Sequence, residues 1–322
     1  MVTQSRALMS TIFLIRVLDT PEPMAERAIG EAFREIERLE GLLSEWRAES
    51  EISQINAAAG GDPVAVSEET FAVVKAGVDV SRWSEGAFDL SWAALRGIYD
   101  FRPETARVPQ PDELEARLPL IRWQDIALDE EARTVSLRRE GMAIGTGGIA
   151  KGYALDRAAA ILSAAGIESF MLFGGGQVQV RGPRGDRPWR VGIQHPRRAE
   201  DYFAFLEVEG VSISTSGDYE HVIVDDDGKR WHHILDPRTG LPAERSVSVT
   251  LLAPTGLYAD ALSTALFVMG PERGLAMLRG LPFEARAAIL DAGCQLHTSQ
   301  GMREAMQFRM VMDGDRLPGC GR

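Results

Sequence analysis

The sequence predicts an α+β fold in which largely antiparallel, mixed sheets are flanked by helices. Three observations support this fold class. The β-branched and aromatic run from Leu8 to Val17 predicts a first strand. After Pro21, apolar residues recur at three- and four-residue steps and predict a long amphipathic helix. In the second half of the chain, short strands follow one another too closely for helical crossovers, which favours antiparallel pairing.

The composition is that of an ordinary globular protein. The 322 residues allow one large domain or two modest ones, and 45% hydrophobic with 25% charged residues excludes disordered and collagen-like classes. The formal net charge of -12 would repel a phosphate backbone, so nucleic acid is not expected as the main partner. The only two cysteines, Cys294 and Cys320, predict neither a disulfide framework nor a thiolate metal site.

The N-terminal segment resembles a short signal peptide in one respect, because Arg6 precedes the apolar run from Ala7 to Ile15. However, Arg16 to Asp19 follow directly without a small-residue cleavage site, and no lipobox cysteine is present. No apolar stretch approaches the roughly 20 residues of a membrane helix. We therefore expect no signal peptide, no transmembrane segment and no membrane insertion, and a cytoplasmic protein for the sequence as written.

Local signals divide the first half of the chain. Ser67 is a predicted N-cap for a helix that ends at Glu85-Gly86. The stretch from Pro103 to Leu118 is polar and turn-rich, and Trp123 to Arg138 alternates like a hairpin. These features predict a connecting subdomain near residues 86–140.

The second half begins with a glycine-rich turn that leads into an alanine-rich helix from Tyr153 to Ala165. Strands then dominate, and two helices and a final strand follow. The predicted strands are Phe170 to Val180, Trp189 to Gln194, Phe203 to Val208, Ser212 to Thr215, His221 to Val224 and Val247 to Leu252, the helices are Leu257 to Met269 and Pro271 to Gly280, and the final strand is Ala287 to Leu290.

The glycine-rich turn, Gly145-Thr-Gly-Gly-Ile-Ala-Lys-Gly152, fits two phosphate-binding templates imperfectly. It matches G-x-G-x-x-A with Glu168 about 20 positions on, but the antiparallel context disfavours a dinucleotide-binding βαβ unit. Because glycine rather than Ser or Thr follows Lys151, the P-loop pattern fails. Backbone amides at a helix start, followed by a lysine, still favour an anion. The alternative is a turn that only packs tightly on a strand.

Two further clusters carry polar side chains. The segment from Ser214 to Tyr219 places small hydroxyls and a turn glycine at a strand end, which alone indicates only a turn. His232 and His233 adjoin another strand end, and their side chains should point to opposite faces, so at most one can easily serve a given site. A lone histidine in a hairpin is more often structural than catalytic.

Asp260 and Thr264 lie at i and i+4 of a predicted helix, so a carboxylate and a hydroxyl share one face. Such oxygen ligands suit a hard cation, for example Mg²⁺. The alternative is helix capping by Asp260, with Thr264 bonding back to the backbone.

Taken together, these segments resemble the ApbE family of Mg²⁺-dependent FAD:protein FMN transferases. Nine co-linear segments carry the resemblance. They are Met9 to Phe13, Leu43 to Asn56, Glu85 to Asp89, Gly147 to Asp156, Gly174 to Gly176, Pro188 to Gln194, Thr215 to Tyr219, His233 to Gly240 and Asp260 to Gly270.

The resemblance implies a two-lobed α+β fold with FAD in a cleft between the lobes, and one catalytic unit over residues 7–322. It also implies cleavage of the FAD pyrophosphate, transfer of FMN to a Ser or Thr of a target protein through a phosphoester bond, and release of AMP. FAD and a target protein are thus the expected partners. Mg²⁺ is the expected metal, with Mn²⁺ as an alternative. Because family members are often exported, the cytoplasmic expectation competes with an upstream leader.

The resemblance also implies roles for individual residues. The expected FAD contacts are Met9, Trp46, Ala87, Phe88, Asp89, Gly145, Lys151 and Ile234. The expected metal ligands are Asp260, Thr264 and the carbonyl of Gly148, with Ser263 at a position that is sometimes an additional ligand. His233 is expected beside the transferring phosphate.

Residue chemistry is consistent with these roles. Pyrophosphate cleavage needs charge neutralisation, which Mg²⁺, the amides of Gly147 to Ala150 and Lys151 would provide. His233 would accept the proton of the attacking hydroxyl, so activity should fall below about pH 6. Trp46 offers a flat face for a cofactor ring and would keep water off the phosphates.

One departure matters most. The family usually has Asp ahead of the glycine pair, where this chain has Gly145, so a carboxylate that would hydrogen-bond the nucleotide is missing unless another group substitutes. Losing a charged hydrogen bond costs about 1.5 to 3 kcal/mol. Two alternatives therefore stay open: a Mg²⁺-dependent FAD pyrophosphatase that releases FMN and AMP, and a flavin-binding protein with reduced catalysis.

Overall fold

The computed structural model describes residues 1–102, 104–225 and 230–321. Within these residues, most helices lie in the first half of the chain, and β6 to β13 follow one another without a helix between them. The strands are β1 Val2–Leu8, β2 Thr11–Val17, β3 Val64–Ala65, β4 Ile126–Asp129, β5 Thr134–Leu137, β6 Phe170–Gly174, β7 Gln177–Arg181, β8 Trp189–His195, β9 Arg198–Val208, β10 Ser212–Gly217, β11 Val222–Val224, β12 Arg230–His232, β13 Ser246–Ala253, β14 Arg286–Asp291, β15 Leu296–Thr298 and β16 Met306–Phe308. The helices are α1 Glu22–Leu43, α2 Glu51–Ala57, α3 Glu68–Trp83, α4 Pro111–Arg117, α5 Ala150–Ala164, α6 Gly256–Met269, α7 Pro271–Leu278 and α8 Met302–Ala305, and short 3-10 helices cover Leu90–Leu95, Leu118–Leu120 and Trp123–Asp125.

An eight-stranded sheet organises the fold, with the strand order β1-β2-β6-β7-β10-β13-β14-β15. Each neighbouring pair in this sheet is antiparallel. The predicted α+β class with largely antiparallel sheets is therefore confirmed.

The two faces of this sheet are buried against different layers. Along β14, Ala287 and Ile289 join the core under the helices, whereas Ala288 and Leu290 join a second core under the three-stranded sheet β16-β9-β8. This alternation follows from the two-residue period of a strand. The sheet is thus a central layer with apolar side chains on both faces.

Helix α1 shows why the helical layer forms. Ala25, Ile29, Phe33 and Ile36 recur at three- and four-residue steps, and each is fully buried. That spacing puts the apolar side chains on one face of the helix, which packs on the sheet. The long helix predicted after Pro21 is confirmed.

Two predicted strands are in fact hairpins. The run from Leu8 to Val17 is a strand only from Thr11 onward, because Met9 and Ser10 adopt positive φ angles of 48° and 59° and form a two-residue turn back to β1. Likewise, the predicted strand from Phe170 to Val180 is split into β6 and β7 by a glycine turn. Both expectations were wrong in the same way, since each predicted strand ran across a two-residue turn between paired strands.

The region predicted as a connecting subdomain contributes β4 and β5 to a small sheet, β3-β5-β4, whose third strand, β3, lies earlier in the chain. The predicted hairpin from Trp123 to Arg138 is confirmed by β4 and β5. The turn-rich stretch from Pro103 to Leu118 contains helix α4, while Pro103 itself lies outside the described residues. The single-unit division at residues 7–322 remains a prediction.

In the C-terminal tail, the structure contradicts the prediction that the two cysteines form no disulfide. Cys294 and Cys320 form a disulfide with a Cα–Cα distance of 5.8 Å. The tail returns along the three-stranded sheet, where β16 pairs with β9. The pairing was missed because a spacing of 26 residues does not reveal which segments meet in space.

None of the helices within the described residues combines the length and the apolar character that a bilayer crossing requires.

Candidate active site

Two helices meet at the candidate metal ligands, and glycines permit their close approach. A Cβ at Gly152 on α5 would collide with the Gly256 carbonyl at the start of α6. Asp156, one turn further along α5, accepts hydrogen bonds from the backbone N–H of Gly256 at 2.7 Å and of Leu257 at 2.8 Å. Asp156 therefore caps α6 from a neighbouring helix, which stabilises its N-terminus.

This junction buries Asp260 on α6, whose side chain is only 3% exposed. Its Oδ2 accepts the N–H of Gly152 at 3.0 Å, and its Oδ1 accepts the side-chain amide of Gln177 at 2.9 Å. Burial raises the pKa of Asp260, and the Lys151 ammonium offsets part of that effect. A buried carboxylate with two neutral donors is electrostatically favourable for a cation.

Thr264 and Gly148 lie beside Asp260. Among the described residues, the Thr264 hydroxyl has only long contacts of 3.5 Å, to the Asp260 carbonyl and to the Ser216 hydroxyl. A Cβ at Gly148 would lie 3.6 Å from Thr264 Oγ1, so the glycine turn approaches the helix at this point. The three predicted metal ligands are therefore brought together from two segments.

Ser263 differs from Thr264 in its hydrogen bonds. Its hydroxyl donates to the Asp260 carbonyl at 2.9 Å and lies 2.7 Å from Ser214 Oγ and 2.8 Å from Ser216 Oγ. A serine hydroxyl offers one donor and two acceptor sites, and all three are used here. Ser263 therefore anchors α6 to β10, whereas Thr264 keeps its oxygen available.

The donor set fits a hard cation. One carboxylate, one hydroxyl and one backbone carbonyl are the oxygen ligands that Mg²⁺ accepts while keeping waters or substrate phosphates. Within the described ranges, no group of three His, Cys, Asp or Glu side chains is placed to hold a metal. A cation at this site would therefore depend on neutral oxygens beside Asp260.

Lys151 links the separate parts of the site. Its Nζ donates to the Gly147 carbonyl at 2.5 Å, and its aliphatic stem lies against Gly175, next to Thr11. The ammonium group acts electrostatically on both Asp260 and His233. The predicted anion-binding lysine is thus near enough to influence both Asp260, a predicted metal ligand, and the histidine.

The backbone amides of the glycine turn are only partly available. Those of Ile149 and Ala150 donate to the Thr146 carbonyl at 3.0 and 2.9 Å. The expectation that all amides from Gly147 to Ala150 hold phosphate is therefore wrong for these two, because they close the first turn of α5. Among the described residues, the N–H groups of Gly147 and Gly148 have no acceptor.

His233 has a defined proton arrangement. Its Nδ1 lies 2.9 Å from the Glu220 carbonyl, and since a carbonyl only accepts, Nδ1 carries the proton and Nε2 has the free lone pair. The ring of His221 lies 5.4 Å away, edge to face. His233 is exposed to solvent as a residue, yet the surrounding protein atoms partly desolvate its ring and lower the pKa of His233 to about 4.

His232, the neighbouring histidine, has a structural environment. Its Nε2 lies 3.0 Å from the Ala243 carbonyl, and its ring packs edge to face on Phe267. His232 is the buried last residue of β12, whereas His233 lies just beyond the strand and is exposed, so only His233 of this pair is available to a ligand.

The predicted FAD contacts divide into a buried wall and an exposed edge. Ala87, Phe88 and Ile234 are at most 5% exposed, and Phe88 Cε2 would lie 3.3 Å from a Cβ at Gly148. Trp46, in contrast, is 75% exposed, and the Arg96 guanidinium lies 5.6 Å from its ring centroid.

Met9 and Asp89 have additional structural roles. Met9 is half-buried in the β1–β2 turn. The carboxylate of Asp89 accepts hydrogen bonds from the N–H and hydroxyl of Ser91 and from the N–H of Trp123. These bonds tie the start of a 3-10 helix to the connecting region. Contact of either side chain with FAD stays a prediction.

Sequence reasoning missed three residues that shape this site. Gln177 follows the matched glycine triplet by one position, and Asp156 closes a matched segment, so both lay within reach of the motifs. Glu45 stands beside Trp46 in another matched segment, and its N–H···O contact with Thr146 at 3.0 Å appears only in three dimensions.

Comparison with known proteins identifies the chain. The profile of the ApbE family matches residues 9–289. A protein of Klebsiella pneumoniae named FAD:protein FMN transferase is 36% identical over 277 residues, which cover 85% of this chain and 84% of the relative, and one from Vibrio cholerae is 34% identical over 84% and 81%.

Solved structures agree with this match. The ApbE protein of Thermotoga maritima has a TM-score of 0.84 at 31% identity, covering 95% of this chain and 99% of its own. The flavin transferase ApbE of Vibrio cholerae has a TM-score of 0.84 at 30% identity, covering 94% and 98%. The resemblance predicted from nine segments is confirmed, and the chain belongs to the ApbE family.

Proposed function

We propose that this chain is a Mg²⁺-dependent FAD:protein FMN transferase that attaches FMN to a Ser or Thr of a target protein and releases AMP. Family membership makes it a transferase, and its relatives carry the name of this activity. The observation that carries the proposal is the junction of α5 and α6. There, the buried Asp260 and the weakly bonded Thr264 hydroxyl lie against a glycine turn that is followed by Lys151.

Asp260, Thr264 and the Gly148 carbonyl would hold the metal. Mg²⁺, or Mn²⁺ in its place, would supply charge neutralisation on the phosphate oxygens when bound. Gln177 and the Gly152 N–H orient the carboxylate through one hydrogen bond to each oxygen. Such orienting partners typically change metal affinity 10- to 100-fold when they are removed.

The chain's own groups account for the remaining charge. The Lys151 ammonium and the N–H groups of Gly147 and Gly148 are the donors available to phosphate oxygens beside the metal ligands. Lys151 would exchange its bond to the Gly147 carbonyl for one to the substrate. Phosphoryl transfer depends mainly on this kind of positioning and charge stabilisation.

In the transfer step, His233 acts as the base. The acceptor hydroxyl oxygen bonds to the phosphorus of the FMN part, and the pyrophosphate P–O bond breaks. AMP leaves with the electron pair, and the hydroxyl proton passes to Nε2 of His233. The bond from Nδ1 to Glu220 keeps that lone pair available.

The test is a flavinylation reaction. The protein is incubated with FAD, Mg²⁺ and a peptide that contains an acceptor Ser or Thr, and mass spectrometry should detect FMN on the peptide with one AMP released per FMN attached. Asp260→Ala should abolish the mass increment, whereas Asp62→Ala, at an exposed site, should not. Release of AMP from FAD without peptide labelling would instead identify a pyrophosphatase, and FAD binding without AMP release would identify a flavin-binding protein.

We also propose that the chain folds in an oxidising compartment rather than in the cytoplasm. The disulfide between Cys294 and Cys320 supports this, since structural disulfides are rare in reducing compartments. Protein isolated from its native cells under alkylating conditions should then carry no free thiol. Two alkylated cysteines would restore the cytoplasmic expectation.

A further inference from the structure

A carboxylate from a distant segment occupies the space beside Gly145. A Cβ at Gly145 would collide with Glu45 Oε2 and would lie 3.1 Å from the Ala93 Cβ. The same Glu45 oxygen accepts the N–H of Thr146 at 3.0 Å. A side chain at residue 145 would therefore require the Glu45 carboxylate to move, since that carboxylate stands where the side chain would begin.

The backbone around Glu45 is held firmly at this place. The Glu45 carbonyl accepts a hydrogen bond from Arg96 Nη1 at 2.6 Å. Two residues earlier, the Leu43 carbonyl accepts the Thr146 hydroxyl at 2.7 Å. These bonds join the end of α1 to the glycine turn, so the position of the carboxylate is set by the fold rather than by a mobile loop.

One oxygen of this carboxylate remains available. Oε2 is bonded to Thr146, but Oε1 accepts no hydrogen bond from the described residues and is reached by solvent. Burial raises the pKa of Glu45, and the positive charges of Arg96 and Lys151 offset part of that effect. A partly desolvated carboxylate gains most from a hydrogen-bond donor on a ligand.

The surroundings indicate the kind of ligand. The next residue, Trp46, exposes 75% of its side chain, and Arg96 lies over its ring. A flat aromatic face beside a hydrogen-bond acceptor suits a nucleoside, which offers a ring to stack and O–H or N–H donors at its edge. The predicted phosphate-binding lysine lies on the same glycine turn, since Thr146 bonds Glu45 and the carbonyl of the next residue, Gly147, accepts the Lys151 ammonium.

We propose that Glu45 is a nucleotide-binding residue whose Oε1 accepts an O–H or N–H of FAD, and that it supplies, from the segment just after α1, the carboxylate that Gly145 lacks. This inference rests on the proposed function. It explains why the position ahead of the glycine pair is glycine here, since any larger residue would displace Glu45.

The test measures FAD affinity by fluorescence titration, without an acceptor peptide and therefore without turnover. Glu45→Ala should weaken binding about 10- to 100-fold, the effect of losing one charged hydrogen bond. Glu45→Gln should also weaken it while keeping an oxygen for the Thr146 N–H, which separates binding from folding. Gly145→Asp alone should weaken binding, because the new side chain collides with Glu45.

The decisive variant replaces the carboxylate at residue 45 with one at residue 145. The double substitution Glu45→Ala with Gly145→Asp should restore affinity to within about threefold of the wild type. A role limited to packing would restore the melting temperature and leave the affinity low. Glu49→Gln is the matched control, an exposed glutamate four positions away, and should leave the affinity unchanged.

Further titrations with AMP and with FMN identify which part of FAD donates the hydrogen bond to Glu45. A loss of affinity in Glu45→Ala for AMP alone assigns Glu45 to the adenosine part, and a loss for FMN alone assigns it to the flavin part; either supports a direct bond. If the wild type binds FAD and Glu45→Ala binds all three ligands equally well, the inference is overturned and the proposed function stands. If the wild type binds no FAD, both fall.

Discussion

The two faces of the eight-stranded sheet are buried against different chemistry. Toward α5 and α6, β7 and β10 present polar side chains, among them Gln177, which bonds Asp260, and Ser214, which bonds Ser263. Toward the three-stranded sheet, the alternate residues Val180 and Ile213 join an apolar core that also contains the disulfide. The same two strands thus carry both environments.

This difference separates function from stability. Burying polar groups is costly unless each finds a partner, and an apolar face of equal size would stabilise the fold more. On the face that packs against the helices, polar groups are buried despite this unfavourable free energy, where Asp260 and its hydrogen-bond partners lie against the glycine turn. The opposite face has no such demand, and there the packing and the disulfide stabilise the sheet. Substitutions on the two faces should therefore fail in different ways.

Asp260→Asn should give the largest effect on the helical face. Removing the charge should reduce FMN transfer roughly a thousandfold or more, because charge stabilisation worth several kcal/mol is lost. The metal-free variant should nevertheless melt no lower than the wild type. Burial raises the pKa of Asp260, so in the metal-free protein its contribution to stability is complete at low pH and is lost as the pH rises through the raised pKa.

Steady-state transfer assays and thermal melts in a chelator check both parts. If Asp260→Asn keeps wild-type activity, Asp260 is not a ligand of the proposed metal. A large drop in melting temperature with lost activity would assign it a structural role instead.

His233→Asn should reduce kcat about 10²-fold or more, as expected for a general base. Desolvation lowers the pKa of His233, so the neutral base persists to lower pH than for an ordinary histidine. The acid limb of kcat/KM should therefore have an apparent pKa below 6.5, and activity should be nearly constant from pH 8 to about pH 5, one unit above the lowered pKa of about 4. The loss expected from the sequence moves to lower pH for this reason.

The control is His221→Asn, which should leave the acid limb in place. An acid limb that persists in His233→Asn would show that another group titrates. An apparent pKa of 6.5 or above in the wild type would contradict the desolvated environment of His233.

Cys320→Ser tests the opposite face. Removing a disulfide that closes a loop of this length should lower the free energy of unfolding by about 2–4 kcal/mol, seen as a lower urea midpoint. FAD affinity under native conditions should stay at the wild-type value, because the tail packs on the far side of the sheet. If Cys320→Ser is as stable as the wild type but binds FAD poorly, the face that contains the disulfide serves binding rather than stability.

Gly152→Ala should destabilise the fold less than Cys320→Ser, and its control sharpens the comparison. The added Cβ collides with the Gly256 carbonyl and approaches the Asp260 Cβ to 2.8 Å, so we expect a loss of about 1–3 kcal/mol together with reduced activity. Gly41→Ala, in α1 with no atom within 4 Å of the new Cβ, should instead stabilise by about 0.5–1 kcal/mol. Equal melting temperatures for the two variants would show that α5 and α6 separate freely.

Periodicity and capping predicted the helices well. The recurrence of apolar residues in α1 and the Ser67 cap of α3, whose side chain accepts the Thr70 N–H, are local signals that survive in the fold. The hairpins at Met9-Ser10 and Gly175-Gly176 were missed or merged, because each predicted strand ran across the turn residues. The disulfide was missed because it joins segments whose meeting depends on the whole tail.

The site was predicted only in part for the same reason. The i and i+4 spacing placed Asp260 and Thr264 on one helical face from sequence alone. Which hydroxyl stays available was not predictable, since Ser263 and Thr264 differ only in the bonds that β10 offers them. The sequence likewise does not show that the N–H groups of Ile149 and Ala150 bond to the Thr146 carbonyl and are therefore not available to phosphate.

The sequence by itself determined the fold class, the helix faces, the family and the order of its chemical segments, because periodicity, capping and motif spacing are local properties of the chain. Only the tertiary structure decided which groups share a cleft and which are already bonded. Glu45 and Gly145 lie a hundred residues apart, and no local pattern relates them. Their relation exists because two segments pack so closely that the carboxylate of one fills the space beside the other.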